Sequence, residues 1–164
     1  MTDPAPGERT ARLVQYVAAG RLRERRASRP DVVTLWQKAV ARLGDAALAG
    51  ISIEGSLEAA YQAAHSGCLA VLATRGLRTA SGHGHHEMAF AGVAALGVPG
   101  LDQLIPDSEE IRMLRSGSMY DPVFASDDDR KGAVAWARNV LPRMRAVLVE
   151  WDRSLDPELA AARP

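Results

Sequence analysis

Residues 52–75 read SIEGSLEAAYQAAHSGCLAVLATR, and they set the architecture of everything around them. Leu57, Tyr61, Ala64, Cys68 and Val71 follow one another at steps of four, three, four and three. That spacing places them on one stripe of a helix, as in the seam of a helical bundle. Ala59, Ala60, Ala63 and Ala70 line another face, where small side chains let a neighbouring helix come close. Gly76 then stops the helix.

Upstream, a second helix is expected from Asp31, just after Pro30, with Val32, Trp36, Ala39, Val40, Leu43 and Ala47 on one face. Gly44 and Gly50 loosen its end. Residues 8–29 form a basic arm, with Arg9, Arg12, Arg21, Arg23, Arg25, Arg26 and Arg29 against Glu8 and Glu24. Leu13, Val14 and Val17 give the arm a short helix, and Gly20 and Ser28-Arg29-Pro30 predict a loose linker after it. Residues 1–7 are rich in proline and glycine and are expected to fray.

Downstream, a glycine- and histidine-rich loop precedes a shorter helix over about Glu87 to Leu96, broken at Gly97-Val98-Pro99-Gly100. Asp107 and Glu110, with Pro106 in front, form a capping-box pattern opening a helix that carries Ile111 and Leu114 and ends near Ser116-Gly117. Ser126-Asp127-Asp128-Asp129 puts oxygens and negative charge at the start of the last long helix. That helix buries Ala137, Leu141, Met144, Leu148, Trp151 and Leu155, bends at Pro142, and ends at Asp156-Pro157. No alternation persists long enough to seed a sheet. The expected fold is all-α, an antiparallel bundle of four to five helices over 31–155. A flexible basic arm (1–30) precedes it and a tail (156–164) follows.

Composition narrows the function classes. The chain has 164 residues, 47% of them hydrophobic and 5% aromatic, a balance that suits one helical domain with a real core. Its 20 basic and 20 acidic residues cancel, so polyanion binding has to come from a local patch. Cys68 is the single cysteine, which rules out an intrachain disulfide and fits a reducing compartment. The opening MTDPAPGERT lacks a basic n-region followed by an apolar stretch, and no apolar run approaches a bilayer span of roughly 18 residues. A cytoplasmic protein without membrane association is expected.

The segment from Ile111 to Pro122, IRMLRSGSMYDP, carries the most chemistry. Arg115 at a helix end is followed directly by Ser116 and, five positions on, by Tyr120. This resembles the signature turn of the HEPN family, in which an arginine and a small polar residue precede a histidine, or in some members a tyrosine. The alanine-rich run Glu58-Ala-Ala-Tyr-Gln-Ala-Ala-His is similar to the family's second helix. Lys131, Ala133, Ala137 and Arg138 are similar to its closing one. The resemblance covers about 31–153 and implies a helical bundle that homodimerises, with two motifs facing one cleft. Active members cut RNA without metal, the arginine stabilising phosphate charge and the histidine moving a proton. An arginine fork suits phosphate, and proton transfer near neutrality favours histidine. Here the motif histidine is replaced, and tyrosine, with an ordinary pKa near ~10, is a poor base at pH 7. The expectation is therefore a non-catalytic module holding RNA, a nucleotide or a partner protein through Arg115, Ser116 and Tyr120. The alternative is a metal-independent endoribonuclease of toxin–antitoxin type, with the same three as candidate catalytic residues. The bland possibility is that Arg115 pairs with a carboxylate while Tyr120 packs.

His83-Gly84-His85-His86-Glu87 invites comparison with zinc sites, but it is not the helical H-E-x-x-H pattern. Neighbouring His85 and His86 should point apart on a helix, so only His83 with His86 or Glu87 should converge. No metal and no cofactor are expected. The loop can instead line a cleft and lend His86 as a ligand-binding residue in place of the missing histidine. His65 is expected on a helix face and hydrogen-bonded, Cys68 as inert packing, and Asp127–Asp129 as a helix cap. The sequence contains no phosphate-binding G-x-x-x-x-G-K-[ST], no G-x-G-x-x-G and no G-x-S-x-G.

Overall fold

The computed structural model describes residues 10–82, 84–101, 103–120 and 125–162, the side chains of 116–120 excepted. In chain order its elements are α1 (Ala11–Ala18), β1 (Leu22–Glu24), α2 (Arg29–Ala46), α3 (Ile53–Thr74), β2 (Leu77–Thr79), α4 (His85–Ala94), α5 (Leu104–Tyr120), α6 (Asp127–Trp151), a 3-10 turn at Arg153–Leu155, and α7 (Asp156–Ala161). The protein is an all-α bundle, as its helical periodicities predict, with one small ribbon added.

Helix α3 is the axis of the bundle. It packs against α2 and α6 most extensively and touches α4 and α5 as well. Leu57, Ala60, Ala63, Ala64, Cys68, Ala70 and Val71 are all fully buried, so both the seam and the alanine face are covered. The approach to α6 is closest at Gly67, where an added Cβ would stand 2.5 Å from Met144 Sδ and 2.9 Å from Leu141 Cδ2. A glycine in mid-helix forgoes about 1 kcal/mol of helix propensity, and here the tight helix pairing requires it.

Side-chain caps fix where the helices begin. Ser28 and Asp31 cap each other's backbone at the start of α2, and Ser126 and Asp129 do the same at α6. Ser52 Oγ accepts from the Gly55 amide at 3.0 Å at the head of α3. Helix α2 thus starts at Arg29 rather than Asp31, with Pro30 inside its first turn, where a missing N–H breaks no helical bond. For the same reason α5 starts at Leu104 and contains Pro106, ahead of the expected Asp107–Glu110 box.

Three segments differ from the sequence expectation. The linker after α1 supplies β1, which pairs antiparallel with β2 in the register Leu22↔Thr79, Arg23↔Arg78 and Glu24↔Leu77. Leu22 and Leu77 anchor the ribbon to the core at 1% and 2% exposure. Helix α5 does not stop at Ser116-Gly117 but continues to Tyr120, ending two residues before Pro122, where a proline disfavours helix in the residue preceding it. Pro157, expected to mark a tail, lies in the first turn of α7. That helix packs back through buried Leu159, whose carbonyl accepts the Trp36 indole N–H at 3.2 Å. No helix among the described residues is long and apolar enough to cross a membrane.

Candidate functional site

One face of the bundle, where α3, α4 and α5 meet, gathers most of the titratable side chains singled out in the sequence. Helix α3 contributes Glu58, Tyr61 and His65, each three or four residues from the next and so on one stripe. Helix α4 contributes His85, His86 and Glu87 from its first turn, and α5 contributes Arg112 and Arg115.

Arg115 lies at the centre. Its Nη1 donates to Glu58 Oε2 at 2.6 Å, and its guanidinium carbon sits 4.6 Å from the centre of the Tyr61 ring. The side chain keeps 26% of its exposure, so it is neither sealed nor free. A guanidinium has five N–H donors, and one acceptor leaves others for an incoming oxyanion. Arg112, one turn earlier, is held by Glu109, with its Nε 2.8 Å from Oε2, and lies 3.6 Å from Glu87. These carboxylates push its pKa up.

The histidines form a stack rather than a ligand set. The His65 and His86 rings are parallel, 8° apart in plane and 4.2 Å between centres, while His85 stands edge-on to His86 at 4.3 Å. The expectation that His85 and His86 diverge is thus corrected. Gly84, with φ of 76°, starts α4 in a left-handed conformation, and the His85 ring bends back to place Nδ1 2.7 Å from the Gly82 carbonyl. His65 is nearly buried, and its Nε2 has no hydrogen-bond partner among the described residues, nor has His86 Nδ1. Burial, and after it the neighbouring His86, His85 and Arg115, push the His65 pKa down to about 3. Burial, then His85 and Arg115, also lower that of His86. Both rings are therefore neutral at pH 7. The hydrogen-bonded helix-face histidine expected at position 65 is instead a desolvated one whose Nε2 lacks a partner among the described residues. Among the described residues no group of three or more His, Cys, Asp or Glu is arranged to hold a metal ion; His83 lies outside them.

The turn expected to join Arg115 to Tyr120 is helical backbone. Positions five apart on an α-helix are about 140° apart around its axis, so the two positions do not share a face. The side chains of Ser116 and Tyr120 lie outside the described residues. The groups that do meet Arg115 are Tyr61 and Glu58, both from the run Glu58–His65, with His86 close enough to feel its charge. Their three- and four-residue spacing was visible in the sequence, but their meeting with α5 depends on tertiary packing. The Tyr61 hydroxyl is pushed up to about 12 by burial, so it serves as a platform and not as a base.

Cys68 is fully buried and its thiol pKa is raised by that burial, as its seam position predicts. Asp127 is engaged by Arg130 and Lys131 at 2.7 Å and 2.8 Å, and Asp129 by Ser126, which makes this acidic run a helix cap.

No family model, no curated protein and no solved structure matches this chain.

Proposed function

We propose that the chain is a HEPN-like helical module that binds a phosphate ester, RNA or a nucleotide, through Arg115 without cutting it, and that it works as a homodimer. The observation carrying this reading is the placement of a partly exposed guanidinium over the Tyr61 ring, with the neutral His86 imidazole stacked parallel to the same ring. The fork of Arg115 supplies donors to a phosphate, and His86 replaces the histidine missing from the motif. Glu58 holds the fork in orientation and competes with the ligand for it. Ser116, next to Arg115, remains a proposed contact from α5, whereas Tyr120, on another face of that helix, would reach only a ligand that wraps around it. The direct test is fluorescence anisotropy of a labelled single-stranded RNA in EDTA. Wild type should bind and leave the RNA intact, and Arg115→Ala should weaken binding at least tenfold. Equal affinity in the two proteins removes the site. Binding of a protein partner at the same residues is the outcome indicated if RNA fails while a co-purifying protein is lost on Arg115→Ala.

A second reading, a metal-independent ribonuclease of toxin–antitoxin type, is favoured by one observation. His86 is neutral at pH 7 and within electrostatic range of Arg115, so a ring that can move a proton, at the desolvation cost its lowered pKa reflects, shares a face with a guanidinium that can stabilise developing phosphate charge. It requires RNA cleavage that persists in EDTA and disappears in His86→Ala.

A further inference from the structure

The ribbon holds a charge arrangement that the Arg115 site does not use. Arg23 and Arg78 stand directly opposite one another in the β1–β2 register. By the alternation of a strand they project on the side away from buried Leu22 and Leu77, and both are exposed. Like charges facing each other across two strands repel. Arg29, Arg42, Arg112, Arg115, Arg130 and Arg145 each lie within ion-pair distance of a carboxylate. Among the described residues neither Arg23 nor Arg78 has such a partner. Glu24, the next acid along, pairs in register with Leu77 and so belongs to the other side of the ribbon.

The two arginines border a groove of about 260 Å³ whose other walls are the segment 79–82 and His85. His85 forms one wall and is tied there to the loop. The Gly82 carbonyl can only accept, so Nδ1 carries the proton, at 2.7 Å. The groove therefore presents two fixed positive charges, with no carboxylate among its described lining residues, in a volume suited to one phosphate and its ester group. A hydrophobic ligand gains little here, and a carboxylate would leave part of the charge unmatched.

We propose that the groove between Arg23, Arg78 and His85 is a second phosphate-ester site, whose two arginines the Arg115 site does not use although the His85 ring touches His86 of that site. A free nucleotide and an RNA strand present the same chemistry, so the experiment separates them. Calorimetric titrations at low salt would use adenosine, adenosine 5′-monophosphate and an unphosphorylated RNA 10-mer, against wild type, the double variant Arg23→Gln/Arg78→Gln, and Arg115→Ala. Adenosine should not bind. The monophosphate, the 10-mer or both should bind wild type, the ligand that binds naming the source. The double variant should weaken that binding at least tenfold, whereas Arg115→Ala should retain a component that the double variant lacks. Both substituted side chains are exposed and mutually repelling, so the double variant should melt no lower than wild type, which separates loss of a ligand from loss of fold. The proposal is overturned if neither phosphate ester binds, or if the double variant binds them as tightly as wild type. Failure of the Arg115 reading alone would leave the ribbon component in place.

Discussion

The imidazoles of His65 and His86 lie face to face, 4.2 Å apart, and the buried nitrogen of each has no hydrogen-bond partner among the described residues. Such a pair cannot take up protons without a large desolvation penalty. The sign of the pH dependence follows. The His65 pKa is lowered from 6.5 to about 3 in the folded chain. Between those values the unfolded chain binds a proton that the folded chain does not, so stability falls as pH drops below 6.5 and levels off near 3. One such group accounts for at most about 1.4 kcal/mol per pH unit. Asp31, Asp127, Asp129 and Asp152 are held below their ordinary 3.8 by their hydrogen-bond partners. Their contribution is present above 3.8 and is lost only as pH falls below it, which leaves the range from 7 to 5 to the histidines. Urea midpoints should drop between pH 7 and pH 5 in wild type, and the drop should shrink in His65→Phe. Parallel curves for the two proteins would contradict the burial of this ring.

Gly67→Ala sets two effects of opposite sign against each other. Alanine favours a helix interior by about 1 kcal/mol over glycine. The new methyl would sit 2.5 Å from Met144 Sδ and 2.9 Å from Leu141 Cδ2, and overpacking of a filled core typically costs about 1–3 kcal/mol. Both neighbours are buried, so packing should win and the variant should be less stable by roughly 1 kcal/mol. Gly67→Ala combined with Met144→Val, which shortens the opposing side chain, should recover part of that loss. A single variant as stable as wild type in urea would mean that α3 and α6 lie further apart.

How much of this was legible in the sequence depended on the range of the interaction. The four-three spacing from Leu57 to Val71 marks α3 because core-facing periodicity is a local property, and Ser126 with the acids after it marks the head of α6 for the same reason. The ribbon left no such trace. Three residues per strand are too few for alternation to register, and its stability comes from Leu22 and Leu77 reaching the core. The two arms join residues 22–24 to 77–79, a pairing that only the folded bundle creates. Prolines were the other source of error. Pro30, Pro106 and Pro157 read as helix boundaries in the sequence, yet each lies in the first turn of a helix, where proline is well tolerated. In the site, Arg115 and His86 were each identifiable as chemistry-bearing residues. That Tyr61 and Glu58, rather than the end of α5, meet the guanidinium is a consequence of how α3 and α5 pack.

The Ser126 cap offers a test of the fold that does not depend on function. Its hydroxyl accepts from the Asp129 amide at 3.2 Å, while the Asp129 carboxylate accepts from the Ser126 amide at 2.7 Å. Ser126→Ala removes one half of this exchange at the start of the longest helix. Loss of such a cap typically costs about 1 kcal/mol. The expected result is a lower urea midpoint with an unchanged slope, since the surface exposed on unfolding stays the same. Ser126→Thr should retain most of the stability, because its hydroxyl can still accept from the Asp129 amide and donate to the Asp129 carboxylate.

Glu58 gives the sharpest discrimination between a binding role and a purely structural role for Arg115. The pair is partly exposed on both sides, 26% and 47%, so it contributes no more than about 1 kcal/mol to stability. If Arg115 only braces α5 against α3, Glu58→Gln should weaken that brace slightly and change no interaction with RNA. If Arg115 is the phosphate contact, Glu58 competes with the ligand for the same fork. Its neutralisation should then raise affinity for single-stranded RNA several-fold while leaving the melting temperature nearly unchanged. Arg115→Ala should lower affinity in both the wild-type and the Glu58→Gln background, and in the double variant the gain from Glu58→Gln should shrink, since the carboxylate no longer has a fork to occupy. The four anisotropy titrations form a cycle whose coupling term reports the competition directly. A coupling of zero, with Glu58→Gln binding RNA as weakly or as tightly as wild type, would show that the guanidinium serves the bundle alone.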